Sequence, residues 1–157
     1  MPYRTAPLVE TLRSAGIDWV LTVPLSGMDG LYQEFAGRGR CIFATREEEA
    51  VATAAGLVLG GSRPIVVMQQ SGVGNALNAV FTLADAYEIA FPILVFDRGE
   101  SDPNPIQKAS SRSTLPLLQQ LGATTLADWS GPGALAVLSR ALATPAGRWL
   151  ISPLNSD

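Results

Sequence analysis

Residues Pro64–Asn78 read PIVVMQQSGVGNALN. The run Pro64–Met68 is apolar and rich in β-branched residues, too short for a helix and uninterrupted by polar positions, which predicts a strand buried on both faces. Two glycines, Gly72 and Gly74, follow after Gln69-Gln70-Ser71, and from Gly74 to Tyr87 the apolar residues return at helical spacing. A buried strand that runs through a glycine turn into a helix is half of a parallel crossover unit. The same grammar repeats outward in both directions. Toward the N-terminus, Glu47–Leu59 is an Ala-rich helix ended by Gly60-Gly61, Cys41–Ala44 is a short strand, and Gly27–Phe35 is helical. Ile17–Val23 (IDWVLTV) is a further buried strand, preceded by a helix over about Ala6 to Ser14 that Gly16 closes. Toward the C-terminus come strand Pro92–Phe96, a polar loop Arg98–Ser113, helix Thr114–Leu121, strand Thr124–Leu126, helix Pro132–Leu142 and strand Trp149–Ile151. Six apolar strands alternating with helices predict an α/β three-layer sandwich around a central six-stranded parallel sheet.

The right-handed crossover rule gathers the strand-to-helix loops at one edge of such a sheet, where α/β proteins bind ligands. Those loops are Pro24–Gly27, Thr45–Glu47, Gln69–Gly74 and Asp97–Gln107. At 157 residues, with 47% hydrophobic and 16% charged residues, the chain predicts one domain over 1–157 with a substantial core. A net charge of −3 with no basic run argues against nucleic acid. No apolar stretch is long enough to read as a membrane span, and Met1-Pro2-Tyr3-Arg4 does not open an apolar leader, so a cytoplasmic protein is expected. The single cysteine, Cys41, excludes an internal disulfide and a Cys-rich metal site, and reads as a small core residue. Histidine is absent. That removes Ser-His-Asp and Cys-His nucleophile systems and every imidazole base, so any chemistry falls to carboxylates, hydroxyls, backbone groups or a cofactor.

The loops carry few reactive groups. No G-x-x-x-x-G-K-[ST] occurs, and Gly72-Val73-Gly74-Asn75-Ala76-Leu77 only begins like a dinucleotide fingerprint, although its glycines permit close backbone approach to a ligand. Glu47, Glu48 and Glu49 open a helix, where the dipole alone favours carboxylates by roughly 0.3–1 kcal/mol each. Ser26, between a strand and a helix, reads either as an N-cap or as a hydroxyl for a substrate carboxylate. Arg98, at the end of a buried strand, reads either as a structural cation or as a partner for an anionic substrate group.

Glu47 stands nine residues before Gly56 in REEEAVATAAG, and the next strand leads into MQQSGVGNALN. This pairing resembles the pyrimidine-binding (PYR) domain of thiamine diphosphate enzymes. The closer likeness is to phosphonopyruvate decarboxylase and the alpha subunit of sulfopyruvate decarboxylase, through Val23-Pro24-Leu25-Ser26, Arg46-Glu47-Glu48-Glu49, the Ser71–Asn75 turn, Tyr87 to Pro92, Arg98-Gly99 and Gln107. The resemblance implies a catalytic Glu47 that exchanges a proton with N1′ of the cofactor's aminopyrimidine, so that the cofactor's own 4′-nitrogen can act as base at C2. Such work asks for a carboxyl in small, dry surroundings. It further implies that Ser71, Gly72, Val73, Gly74 and Asn75 line the pyrimidine pocket, and that Ser26, Leu25 and Arg98 meet the substrate, a small anionic 2-oxo acid.

Family members also need a second domain, in which a Gly-Asp-Gly sequence and a later Asn hold the diphosphate through Mg²⁺. Here the nearest string is Met28-Asp29-Gly30, and no Asn follows before Asn75. The resemblance therefore implies a two-subunit decarboxylase, with metal, diphosphate contacts and Gly-Asp-Gly on a beta (PP-domain) partner, in a heterotetramer or larger, and no metal ligand in this chain. The alternatives are a carboligase subunit and a non-catalytic scaffold that keeps the fold. Asp97 before Arg98 would disfavour a doubly charged substrate.

Overall fold

The computed structural model describes residues 5–100, 102–130 and 132–153; the stretch 1–4, read above for a leader, lies outside them. Six strands, β1 (Trp19–Thr22), β2 (Cys41–Phe43), β3 (Pro64–Gln69), β4 (Ile93–Asp97), β5 (Thr124–Thr125) and β6 (Trp149–Pro153), form one sheet in the order β2-β1-β3-β4-β6-β5. Every pairing is parallel, with Leu21 opposite both Ile42 and Val66, and Val67 opposite Leu94. The helices are α1 (Thr5–Ser14), α2 (Asp29–Ala36), α3 (Glu47–Leu59), α4 (Val73–Ala79), α5 (Pro105–Gln120) and α6 (Pro132–Ala143).

The continuous apolar runs predicted strands with no wet face, and the two sides of the sheet each carry their own cluster. Leu21, Val66, Met68, Ile93 and Val95 pack beneath α3, α4 and α5 through Val51, Ala54, Ala76 and Leu118. Val20, Ile65, Val67, Leu94 and Leu150 meet Leu8, Leu12, Leu31, Phe35 and Leu138 of α1, α2 and α6. Ile65, Val66, Val67, Ile93, Leu94 and Val95 are all 0% exposed. At about 1.5–3 kcal/mol for each buried aliphatic side chain, β3 and β4 are the spine of the domain. From β1 the chain turns through α2 to β2 on one side, while β3, β4, β6 and β5 lie on the other. The loops leaving β1 and β3 consequently diverge to opposite faces of the sheet, which opens a crevice at their carboxyl ends.

Three elements depart from the sequence reading. The polar stretch Arg98–Ser113, expected as a loop, is helix from Pro105 onward, continuous to Gln120 despite Pro116. Asn104 is the N-cap, its side-chain Oδ1 accepting from the Ile106 N–H at 3.0 Å, and Pro105 takes the first helical position, where a missing N–H costs nothing. The second helix begins at Asp29 rather than Gly27, so the N-cap position belongs to Met28 and not to Ser26. The helix expected over Gly74–Tyr87 starts at Val73 and widens into a π-helical turn at Val80–Asp85.

That wide turn ends on an ion pair between a buried guanidinium and a carboxylate that reaches solvent. Arg148 is 1% exposed and its Nη2 donates to Asp85 Oδ1 at 2.8 Å and to the Ile89 carbonyl at 3.1 Å, with the guanidinium over the Phe91 ring. Burial pulls the Arg148 pKa below its usual range, and Asp85 opposes this. Removing only the carboxylate strands a buried charge, whereas replacing the arginine by an apolar chain of similar volume does not. Asp85→Ala is expected to lower stability by about 2 kcal/mol, reduced from the fully buried case because Asp85 is partly exposed, and Arg148→Met by less than about 1 kcal/mol. Urea denaturation of the two variants checks the ordering.

Candidate functional site

Helix α3 points its N-terminus toward the carboxyl edge of the sheet, and its three opening glutamates have separate partners. Glu49 Oε2 accepts from the Thr45 N–H at 2.8 Å, a side chain reaching back over the helix start to satisfy a free donor. Glu48 Oε1 pairs with Arg46 Nε at 2.9 Å in a solvent-exposed contact. Glu47, half-buried, turns instead toward the turn that follows β3. Its Oε2 accepts from Asn75 Nδ2 at 2.9 Å. Its other oxygen lies against the Cα of Gly72: a Cβ there would stand 2.3 Å from Oε1, 2.5 Å from Cδ and 2.6 Å from Cγ of Glu47. Glycine at 72 is thus a steric requirement of the Glu47 side chain, and Asn75 fixes the carboxylate that the glycine admits. The Ala50, Ala54 and Ala55 positions behind it are buried and small, which lets α3 lie close to the sheet.

Of the other pocket residues expected from the sequence, Ser71 and Gly74 are exposed and Val73 is buried in the core, leaving only its backbone available to a ligand. A Cβ at Gly74 would meet nothing within 4 Å, so the surface beside Asn75 is open. Ser26 is exposed in the turn before α2, where Gly27 takes a φ of +86° that β-carbon-bearing residues rarely adopt. Leu25 is 8% exposed and belongs to the apolar cluster under α2. Its backbone is clamped by Tyr32, whose hydroxyl accepts from the Leu25 N–H at 3.0 Å, and burial raises the Tyr32 pKa so that the phenol keeps its proton. Among the described residues no hydrogen bond joins Ser26, Leu25 or Arg98 to the Glu47–Asn75 pair.

Arg98 leaves β4 at the same edge and is held within the chain: its Nε donates to Asp102 Oδ2 at 2.6 Å. Asp102 also accepts from the Asn104 N–H at 2.8 Å; this bond first, and then Arg98, hold the Asp102 carboxyl below its ordinary range. Gln70, fully buried, donates through Nε2 to Gln107 Oε1 at 2.8 Å and accepts from the Arg98 N–H at 3.4 Å. Gln69 Nε2 donates to the same Gln107 oxygen. Gln107 therefore ties the end of β3 to the first turn of α5, and Gln70 is a satisfied structural amide. The sequence reading missed Asp102 as the partner of Arg98 and the role of Gln107. The four-residue Arg98–Asp102 spacing and the Asn104-Pro105 helix start were the signals available for both. Cys41 is half-buried on the edge strand with its pKa pushed up to about 11 by burial, so it is a protonated thiol at neutral pH. No helix among the described residues is long and apolar enough to cross a membrane, and no group of three or more His, Cys, Asp or Glu side chains there could hold a metal ion.

The amino-acid sequence has relatives. The family model described as "Thiamine pyrophosphate enzyme, N-terminal TPP binding domain" matches residues 5–103, thiamine pyrophosphate being the same compound as thiamine diphosphate. The chain is 32% identical over 95 residues to the sulfopyruvate decarboxylase subunit alpha of Methanocaldococcus jannaschii, covering 59% of this chain and 56% of that protein. It is 30% identical over 113 residues to the subunit of the same name from Methanothermobacter thermautotrophicus, covering 70% and 68%. Phosphonopyruvate decarboxylase of Streptomyces viridochromogenes is 33% identical over 96 residues, 60% of this chain and 24% of that protein. The chain spans just over half the length, 56%, of the Methanocaldococcus subunit and of the subunit of the same name from Methanococcus maripaludis. The matched region runs from α1 past β4 and includes both Glu47 and the Gly72–Asn75 turn; with that coverage, the chain belongs to the thiamine pyrophosphate enzyme family, as its N-terminal TPP-binding domain.

Proposed function

We propose that this chain, as a single PYR domain over 1–157, is the alpha subunit of a two-subunit, thiamine diphosphate-dependent decarboxylase of a small anionic 2-oxo acid of the sulfopyruvate or phosphonopyruvate kind. The observation that carries the reading is the seating of Glu47 on Gly72 with Asn75 as its hydrogen-bond donor. A carboxyl with one oxygen fixed by an amide and the other beside a bare backbone suits a ring nitrogen that must gain and lose a proton. The residues present therefore fit the aminopyrimidine half of the cofactor. When bound, thiamine diphosphate supplies the electron sink for loss of CO₂ from the 2-oxo acid.

The chain's own residues would divide the remaining work. Glu47 holds or releases the proton at N1′; Asn75 fixes its carboxylate; Ser71, Gly72, Val73 and Gly74 offer backbone and a small surface for the pyrimidine ring. Ser26, the Leu25 backbone and Arg98 face the same sheet edge and would meet the substrate. The diphosphate needs a hard cation with oxygen ligands, and the beta partner with its Gly-Asp-Gly sequence and Asn would bring it as Mg²⁺, in a cytoplasmic heterotetramer or larger assembly. The names of the relatives, three of them subunits alpha, support a divided enzyme.

The purified chain alone is expected to release no CO₂ from sulfopyruvate or phosphonopyruvate and to bind thiamine diphosphate weakly by calorimetry. Addition of the beta subunit should restore both. Tight binding by the isolated chain would remove the divided site.

A further inference from the structure

At the opposite end of β1 and β2 from Glu47, we propose that the protein carries a second binding site, for a small multiply charged anion. A cavity of about 240 Å³ lies between the end of α1, the segment entering β1, and the turn from α2 to β2. Its floor is the side chains of Ile17 and Phe35, 5% and 4% exposed. Three guanidiniums line it, those of Arg13, Arg38 and Arg40. A fourth, Arg63, stands next to the cavity wall, its Nη2 donating to the Ala15 carbonyl at 3.0 Å. Four of ten arginines thus crowd one corner of a chain whose net charge is −3.

The carboxylates there do not balance them. Glu34 alone is shared by Arg13 at 3.5 Å and Arg38 at 2.8 Å. Asp18 accepts from the Arg63 backbone N–H at 2.7 Å, and with Glu34 it makes the lining three arginines against two carboxylates, an excess of one positive charge. Arg40 makes no ion pair or side-chain hydrogen bond among the described residues; its guanidinium rests on the Trp19 ring, 4.8 Å from the centroid. Its backbone is fixed on both sides, the N–H donating to the Phe35 carbonyl at 2.8 Å and the carbonyl accepting from Val20 at 3.0 Å. A stacked guanidinium keeps its in-plane N–H groups free, and those groups match the oxygens of a phosphate or carboxylate. The volume is that of about eight waters, which suits an anion of a few heavy atoms rather than a nucleotide. Phosphate esters and polycarboxylates share this chemistry. The site does not depend on the thiamine reading, since no residue of it lies at the carboxyl edge of the sheet.

The test is titration of the full chain with inorganic phosphate and, separately, citrate, each at ionic strength matched with sodium chloride. The readout is the Trp19 indole N–H resonance, identified by its loss in Trp19→Phe. A saturable shift with either anion is expected; phosphate alone points to a phosphate ester, citrate alone to a polycarboxylate, and both to the shared chemistry. Arg40→Gln and Arg38→Gln should each weaken binding about tenfold or more, as expected for loss of a charge-assisted hydrogen bond. Glu34→Gln, which frees two arginines, should strengthen it, and Arg112→Gln on α5 should leave it unchanged. Absence of a saturable shift with both anions, or a shift that survives Arg40→Gln undiminished, overturns the proposal.

Discussion

Glu47→Gln is expected to leave the chain folded and able to assemble with its beta partner, while exchange of the thiamine C2 proton and CO₂ release fall by about 10²–10⁴-fold. Glutamine has the same length and can still accept from Asn75 Nδ2 through its carbonyl, so the geometry that now holds the carboxylate at 2.9 Å from that amide is kept. What disappears is the ability to give up and recover a proton at the atom facing Gly72. The comparison with Glu48→Gln and Glu49→Gln isolates that property. Glu48 has only an exposed pairing with Arg46, and Glu49 serves the Thr45 N–H at the helix start. Removing the first charge should cost little, and removing the second a few tenths to about 1 kcal/mol of stability, with catalysis intact in both. If Glu47→Gln retains proton exchange within about threefold of the parent, the carboxyl has no part in activating the cofactor, and the domain is a scaffold.

Much of this arrangement is legible from the amino acids because its causes are local. The central strands β3 and β4 are continuous runs of apolar residues opened by Pro64 and Pro92, and they are the buried middle of the sheet, while the edge strands β2 and β5 are short and only half-buried; helix α3 begins and ends at the residues its glutamates and glycine pair mark. The selection of Glu47 from a triplet rests on an offset to Gly56, and the fold separates the three side chains in space. Less legible are features whose cause is a distant residue. Beyond the Asn104-Pro105 start, nothing local in PIQKASSRSTLP carries a helix to 16 residues, since it is polar and interrupted by Pro116; it is held by Leu118 in the core, by Thr114 on the Gln70 carbonyl, and by Gln107 against Gln69 and Gln70. The π turn before Tyr87 is likewise tied to Arg148, more than sixty positions away. Ser26 fails as an N-cap for a related reason: Gly27 at positive φ delays the helix by two residues, and the hydroxyl remains in the turn.

Gly72→Ala provides the sharper probe of the site, because it changes no functional group. The added methyl would overlap Glu47 Cγ, Cδ and Oε1 at 2.3–2.6 Å, well inside any real contact. Backbone φ does not oppose the substitution, since residue 72 sits at −86°. Relief comes most cheaply by rotation of the Glu47 side chain away from the turn, which breaks the bond from Asn75. Stability should therefore change by less than about 1 kcal/mol, while activity of the assembled enzyme falls about 10²-fold or more, the scale of a group moved by an ångström. The pair of variants then forms a cycle. If Gly72 matters because it seats the carboxylate, Gly72→Ala in the Glu47→Gln background should add almost nothing to the loss already present, a strongly non-additive result. If the two losses multiply, the glycine has a separate duty, such as admitting the ligand to the backbone. Full activity in Gly72→Ala would mean that the carboxylate works from some other position, and the contact between Glu47 and the turn would then be incidental to catalysis.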